Sequence, residues 1–198
     1  TDTFTLTVTD SDSGATDTMD VTITITGADD AVSAGADQTG AVTEDAATDT
    51  ATGTVDASDA DADSSLSYSG DATGTYGSIA VDSAGAWTYT LDNTDADTTA
   101  LGPGDSVTDT FTLTVTDSDS TATDTMDVVI TISGANDATT GDVTITGDAY
   151  DGSTLTADTS ALADDDGIGT LTYQWADQDG DITGATSSTY TIADCEST

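Results

Sequence analysis

The sequence predicts an all-β chain built from tandem β-sandwich domains, and three observations predict it. Apolar residues alternate with threonine over run after run: Phe4, Leu6 and Val8; Val21, Ile23 and Ile25; Trp87, Tyr89 and Leu91; Phe111, Leu113 and Val115. Period-two alternation of β-branched and aromatic residues marks half-buried strands with a wet threonine face. Second, "TDTFTLTVTDSDS" at Thr1 returns unchanged at Thr108, an offset of 107 residues. That is a domain-sized period, too long for a solenoid coil and right for a sandwich. Third, clusters of Gly, Asp and Ser and the single proline fall between the alternating runs, where turns belong. No segment carries a convincing helical stripe.

Residues 1–30 read as the closing part of a sandwich: two alternating runs joined by "TDSDS" and ended by "GADD". The repeat runs on past its opening phrase, because "ATDTMDVTITITGADD" at Ala15 returns as "ATDTMDVVITISGAND" at Ala122. Residues 31–40 read as a linker. Residues 41–137 hold one complete sandwich, with strands expected near Val42 and at 50–55, 66–68, 76–81, 87–91, 108–116 and 124–133. Within it "IAVDSAGAWTYTL" is a hairpin with Ser83, Ala84 and Gly85 in the turn. Residues 138–198 change pattern and are expected to form a smaller, incomplete sandwich, with Leu171, Tyr173 and Trp175 on one core face. Trp87 and Trp175 both lie on the apolar side of their runs, which favours core packing over stacking on sugars.

The charge excludes several classes of function. Of 198 residues, 39 are acidic and none is Lys, Arg or His, a formal net charge of -39. Nothing can neutralise a phosphate backbone, so no nucleic acid is expected as a partner, and the same sign argument excludes direct contact with an anionic membrane. No apolar run approaches the length of a bilayer span or a signal peptide. High charge with few aromatics usually means disorder, but disordered chains lack the periodic apolar residues found here. Without His or Lys, the usual activators of nucleophiles are missing, and a carboxylate pair among 39 acids carries no signal, so no enzyme is expected. "GPGDS" at Gly102 lacks the Lys of a phosphate-binding loop and reads as a connection.

The acids are clustered. The dense groups are "GADD" (Asp29, Asp30), "TED" (Glu44, Asp45), "DASDADAD" (Asp56, Asp59, Asp61, Asp63), "GAND" (Asn136, Asp137) and "ADDDG" (Asp164, Asp165, Asp166). Cys195 alone makes no thiolate site and there is no imidazole, so the chain offers a metal only oxygen, the donor that calcium prefers. Two carboxylates about 4 Å apart repel by roughly 4 kcal/mol at an effective dielectric near ~20. Several such contacts would cancel a domain's whole margin of about 5–15 kcal/mol. Either the clusters splay as solvated loops in a protein adapted to high salt, or Ca2+ holds them. "TDSDS" at Asp10 and Asp117 is an even choice between a metal loop and a polar hairpin turn.

The phrases "GTYGSIAVDSAGAWTYTLDN" and "ALGPGDSVTDTFTLTVTDSDS", closed by "GAND", resemble the VCBS repeat of very large secreted bacterial proteins, many of them adhesins of the RTX type. The last module resembles bacterial Ig-like domains through "GSTLTADTSALADDDGIGTLTYQW". These resemblances imply tandem Ig-like/cadherin-like β-sandwich domains, extracellular and often calcium-dependent. In the cadherin arrangement a linker motif and a D-x-D loop of the following domain grip calcium together. Asn136 and Asp137 match the N-D of that linker motif, and Asp59 and Asp61 match the D-x-D. Asp29 and Asp30 depart from the linker motif by placing Asp where Asn would stand, and Asp164 and Asp166 match D-x-D by spacing only.

The expected function is therefore a calcium-rigidified extender or fibre-forming segment of a secreted bacterial surface protein, with neighbouring domains of the same or identical chains as partners. The competing reading is a carbohydrate- or host-surface-binding adhesin module. The threonine rows suit strand propensity and solubility better than an ice-binding face, since strands twist. Glycan attachment to their hydroxyls stays open. The ends raise one more alternative. Residues 1–27 and the module that stops at "YTIADCEST" are either cuts from a longer chain or open edges that complete one another between molecules, giving a homopolymer by strand exchange.

Overall fold

The computed structural model describes residues 1–61 and 65–193. Asp63 and Cys195 lie outside the described residues. The chain begins with a hairpin, β1 (Asp2–Thr9) and β2 (Thr16–Ile23), paired antiparallel with Phe4 opposite Val21 and Leu6 opposite Met19. Its turn is tied by the Asp10 carboxylate, which accepts from the Asp12 N–H (2.9 Å) and from the Ser13 hydroxyl, and Gly14 closes it at φ +68°. Both faces of the hairpin are exposed, including the apolar row of Phe4, Leu6, Val8, Met19, Val21 and Ile23.

The central sandwich has two four-stranded sheets. Its strands in order are β3 (Gln38–Thr43), β4 (Thr50–Thr54), β5 (Leu66–Ser69), β6 (Ala72–Thr73), β7 (Gly77–Val81), β8 (Ala86–Leu91), β9 (Ser106–Asp117) and β10 (Thr123–Ser133). One sheet runs β3-β10-β9-β5 and the other β4-β8-β7-β6. All pairs are antiparallel except β3 with β10, which run parallel with Gln38 beside Val128 and Thr43 beside Ser133. Along β9 and β10 every second residue is buried, as the alternation requires: Phe111, Leu113 and Val115, then Met126, Val128, Ile130 and Ile132. They meet Ile79, Trp87, Tyr89 and Leu91 of the facing sheet. The Trp87 indole lies flat on β4 because position 53 is glycine, where an added Cβ would fall 2.5 Å from the ring. Its N–H donates to Gln38 Oε1 (2.8 Å), which satisfies the one polar atom of a buried side chain.

Three expectations change. Residues 31–40 are not a linker: Val32 and Ala34 are buried in the core, Ser33 bridges Ser58, and 38–40 belong to β3. Two apolar residues flanking one serine are too short a pattern to announce a strand. The strand expected at 76–81 starts one residue later, because the Tyr76 N–H is taken by the Asp109 carboxylate (3.1 Å). A one-turn helix, α1 (Ala96–Thr99), joins β8 to β9 and is capped by the Asp95 carboxylate accepting from the Asp97 N–H (2.8 Å).

The last module holds a sheet β11-β12-β15, made of β11 (Thr144–Thr146), β12 (Thr154–Asp158) and β15 (Thr189–Thr191). A two-residue ladder, β13 (Ala176–Asp177) with β14 (Gly180–Asp181), stands beside it. Leu171, Tyr173 and Trp175 line one groove with Val143, Ile145 and Leu162, but 171–175 joins no ladder, and Val143, Ile145 and Leu171 stay exposed. Trp175 stacks on Tyr190 with centroids 5.7 Å apart and donates its indole N–H to the Ser187 carbonyl (2.9 Å).

Candidate metal centre

The parallel ladder places the first ligand candidate. The Glu44 N–H donates to the Ser133 carbonyl (2.9 Å), so Glu44 sits where β10 ends and the chain leaves the sandwich. Its Oε2 accepts from the Ala135 N–H (3.1 Å), while its Oε1 has no partner among the described residues although Glu44 is only 2 % exposed. Asp45 follows in the left-handed region at φ 52°, its N–H held by Asn93 Oδ1 (3.2 Å), and its carboxyl meets that of Asp137.

The next module brings its acid loop to the same place. Thr140 and Ala163 exchange backbone hydrogen bonds (2.7 and 3.0 Å), and the Thr139 hydroxyl donates to Asp164 Oδ2 (2.7 Å). Asp166 lies against Gly102 of the sandwich, 3.5 Å from where a Cβ would stand. Glu44, Asp45, Asp137, Asp164 and Asp166 are thus gathered at one junction, from both units.

Their electrostatics record the crowding. The Glu44 pKa is raised, first by burial and then, against the Ala135 hydrogen bond, by the charges of Asp137, Asp45 and Asp166. Asp137 is raised by burial and by Asp45 and Asp165. Asp166 is raised by its contact with Asp164, while Asp164 is lowered by the same contact and by Thr139. Asp137 Oδ2 and Asp164 Oδ1 are buried and receive no N–H or O–H donor among the described residues. Acid against acid with no donor between needs a shared proton or a cation. Among the described residues no three acids are arranged as a group that could hold a metal ion. The oxygen-only donor set and the orphaned oxygens fit a hard divalent cation.

A second cluster lies at the other end of the sandwich, beside the β9–β10 turn. The Asp30 N–H donates to Asp61 Oδ2 (2.7 Å), and the Asp61 N–H to Asp59 Oδ1 (2.8 Å). Asp59 Oδ2 is buried without a partner among the described residues. Gly27, Ala28, Asp29, Asp61 and Asp119 line a cleft of about 290 Å³ there.

Two residues of the linker motifs singled out in the sequence, Asp30 and Asn136, do not offer their side chains to these clusters. Asp30 enters through its backbone, and Asn136 is exposed with its amide donating to the Asp137 carbonyl rather than facing the acids. Sequence reasoning missed Asp119 as a cleft residue. It also missed Gly102, whose loop Asp105 ties by accepting from the Gly102 N–H (3.1 Å). The only signal for Asp119 was "TDSDS", and for Gly102 there was none, because the contact with Asp166 is between modules.

A family model described as the bacterial cadherin-like domain matches residues 28–134. Among solved structures the chain is similar to the protocadherin gamma-B4 extracellular domain, with a TM-score of 0.52 and 17% identity over 97% of this chain. The chain spans 32% of the length of that protocadherin, and at this identity the likeness shows the fold alone. No curated protein matches the sequence. Among the described residues no helix is long and apolar enough to cross a membrane.

Proposed function

Because the chain belongs to the bacterial cadherin-like domain family, whose members are non-enzymatic adhesion or structural modules and typically extracellular, we propose that it is a calcium-stiffened spacer of a secreted bacterial surface protein of the VCBS or RTX-adhesin kind. The observation that carries the reading is Glu44: a carboxylate 2 % exposed, with one oxygen unpartnered, facing acids of its own unit and of the next in a chain with no basic side chain. A bound Ca2+ supplies positive charge and accepts six to eight oxygens. Glu44, Asp45, Asp137, Asp164 and Asp166 would hold it at one junction, and Asp29, Asp59, Asp61 and Asp119 at the other. A junction gripped in this way stops bending, so a string of sandwiches becomes a rod.

The test is a thermal melt of the chain and of Glu44→Gln, each in calcium and in chelator at one ionic strength. Calcium at about 100 times its Kd stabilises the binding state by roughly 2.7 kcal/mol, a rise of about 10–20 °C for a domain near 100 residues. Gln removes one negative charge and offers an N–H₂ donor to the crowded acids. Glu44→Gln should therefore melt above the parent in chelator and below it in calcium. A parent midpoint unmoved by calcium would overturn the reading.

A further inference from the structure

Beside its 39 acids the chain contains two asparagines, Asn93 and Asn136, and each holds a main-chain group of an acid at the junction where Glu44 is buried with its Oε1 unpartnered among the described residues. Asn136 donates its amide to the carbonyl of Asp137, its neighbour in sequence. Asn93 reaches across from the loop between β8 and α1, 48 residues from Asp45 in sequence, and its Oδ1 accepts from the Asp45 N–H (3.2 Å). That loop is braced on both sides of Asn93. The Asp92 carboxylate accepts from the Thr94 N–H and hydroxyl (2.9 and 2.7 Å), while the Leu91 and Asp92 N–H groups donate to the Asp49 and Tyr76 carbonyls (both 2.9 Å). An acceptor anchored in this way does not follow Asp45; Asp45 follows it.

Asp45 needs such a hold. It stands at φ 52°, in the left-handed region that residues with a Cβ rarely adopt. It is exposed, so packing does not keep it there. In this conformation its carboxyl meets that of Asp137, and its charge also acts on Glu44. Like charges on an exposed loop part unless the backbone is fixed. A neutral amide can fix it, because it offers an acceptor without a charge, whereas an aspartate in the place of Asn93 would add one more carboxylate to the crowd.

We propose that Asn93 is a positioning residue for the cation at this junction: it holds the Asp45 backbone left-handed, so that the Asp45 carboxylate stands beside Asp137 before the ion arrives. The inference rests on the calcium reading and extends it to a residue that acts only through another. The arrangement is set on folding and does not have to be made on binding, which is how preorganisation raises affinity.

The experiment is a calcium titration followed by the amide resonances of the isotope-labelled chain. The Ala135 N–H, bound to Glu44 Oε2, reports this junction, and the Asp30 N–H, bound to Asp61 Oδ2, reports the other. Asn93→Ala should weaken calcium at the first by roughly 10–100-fold, the usual loss when a residue that orients a ligand is removed, and leave the second unchanged. Its melting midpoint in chelator should match or exceed the parent's, since the exposed Asp45 N–H turns to water and the acids move apart. Asp45→Gly keeps the left-handed backbone and removes the carboxylate; it should weaken the same site, and adding Asn93→Ala to it should weaken it no further. A midpoint that falls in chelator would make Asn93 a structural residue and overturn the proposal. Losses that add in the double variant would overturn it as well, because Asn93 would then not act through Asp45. A parent that binds at Ala135 beside an Asn93→Ala that binds equally well overturns the role of Asn93 alone, whereas a parent with no saturable shift at Ala135 overturns the calcium reading and this role with it.

Discussion

Thr121 and Gly14 occupy the same place in two copies of one turn, and the structure gives them the same backbone, φ 62° and 68°. Glycine adopts that conformation freely, whereas a β-branched residue there is strained by roughly 1–2 kcal/mol. Thr121→Gly should stabilise the central sandwich by about 0.5–1 kcal/mol net, after the loss to the more flexible unfolded chain. The urea midpoint is the measurement, and a midpoint that falls would show that Thr121 carries no strain. Glu44 is a different case, since its cost lies in charge rather than backbone. Buried without a counterion, it lowers the stability of the free domain, and a cation would reverse the sign.

Among the elements, β9 is tied to the facing sheet by the Asp109 carboxylate as well as by its apolar row. Asp109 is buried and draws in two N–H groups of the turn before β7 and the Tyr89 hydroxyl, whose pKa is pushed above its ordinary range by burial first and by Asp109 second. Asp109→Ala would strand three donors, and losing the charged partner of such a set should cost about 3–5 kcal/mol. Chemical denaturation would show it, and a loss under about 1 kcal/mol would mean that water replaces the carboxylate without strain. The strands of this sheet were legible because alternation is local: Phe111 to Val115 and Met126 to Ile132 announce themselves within a few residues. The parallel β3–β10 pairing was not, because no local pattern encodes which strand Val42 joins. Helix α1 is four residues long and too short to show a stripe. The acids stand out in the sequence as dense local clusters, but Asn136 of the linker motif faces away from them, and Gly102 and Asp119 enter through contacts far apart in sequence.

At the scale of the whole molecule, the two acid clusters stand at opposite ends of the sandwich, separated by the length of β9 and β10, about 35 Å. On the calcium reading proposed above, a change at one junction should alter the angle between units more than the stability of either. Asp137 belongs to the segment that leaves the sandwich, and its carboxyl meets acids of both units. Asp137→Ala should leave the melting of the central domain within about 1 kcal/mol of the parent while making the chain less extended in calcium. Small-angle scattering checks this, and identical profiles for variant and parent would count against a stiffened junction.

The parallel pairing of β3 with β10 also decides how such a chain bears tension. A pull that enters at Gln38 and leaves at Ser133 acts on strands whose loaded ends lie at opposite ends of one six-residue ladder. The load runs along the strands and across their hydrogen bonds, so the bonds share it and must give way together. An antiparallel pair loaded at one end would open bond by bond, like a zip. A sandwich loaded in this way would be expected to yield by shear of that one short ladder rather than by unzipping.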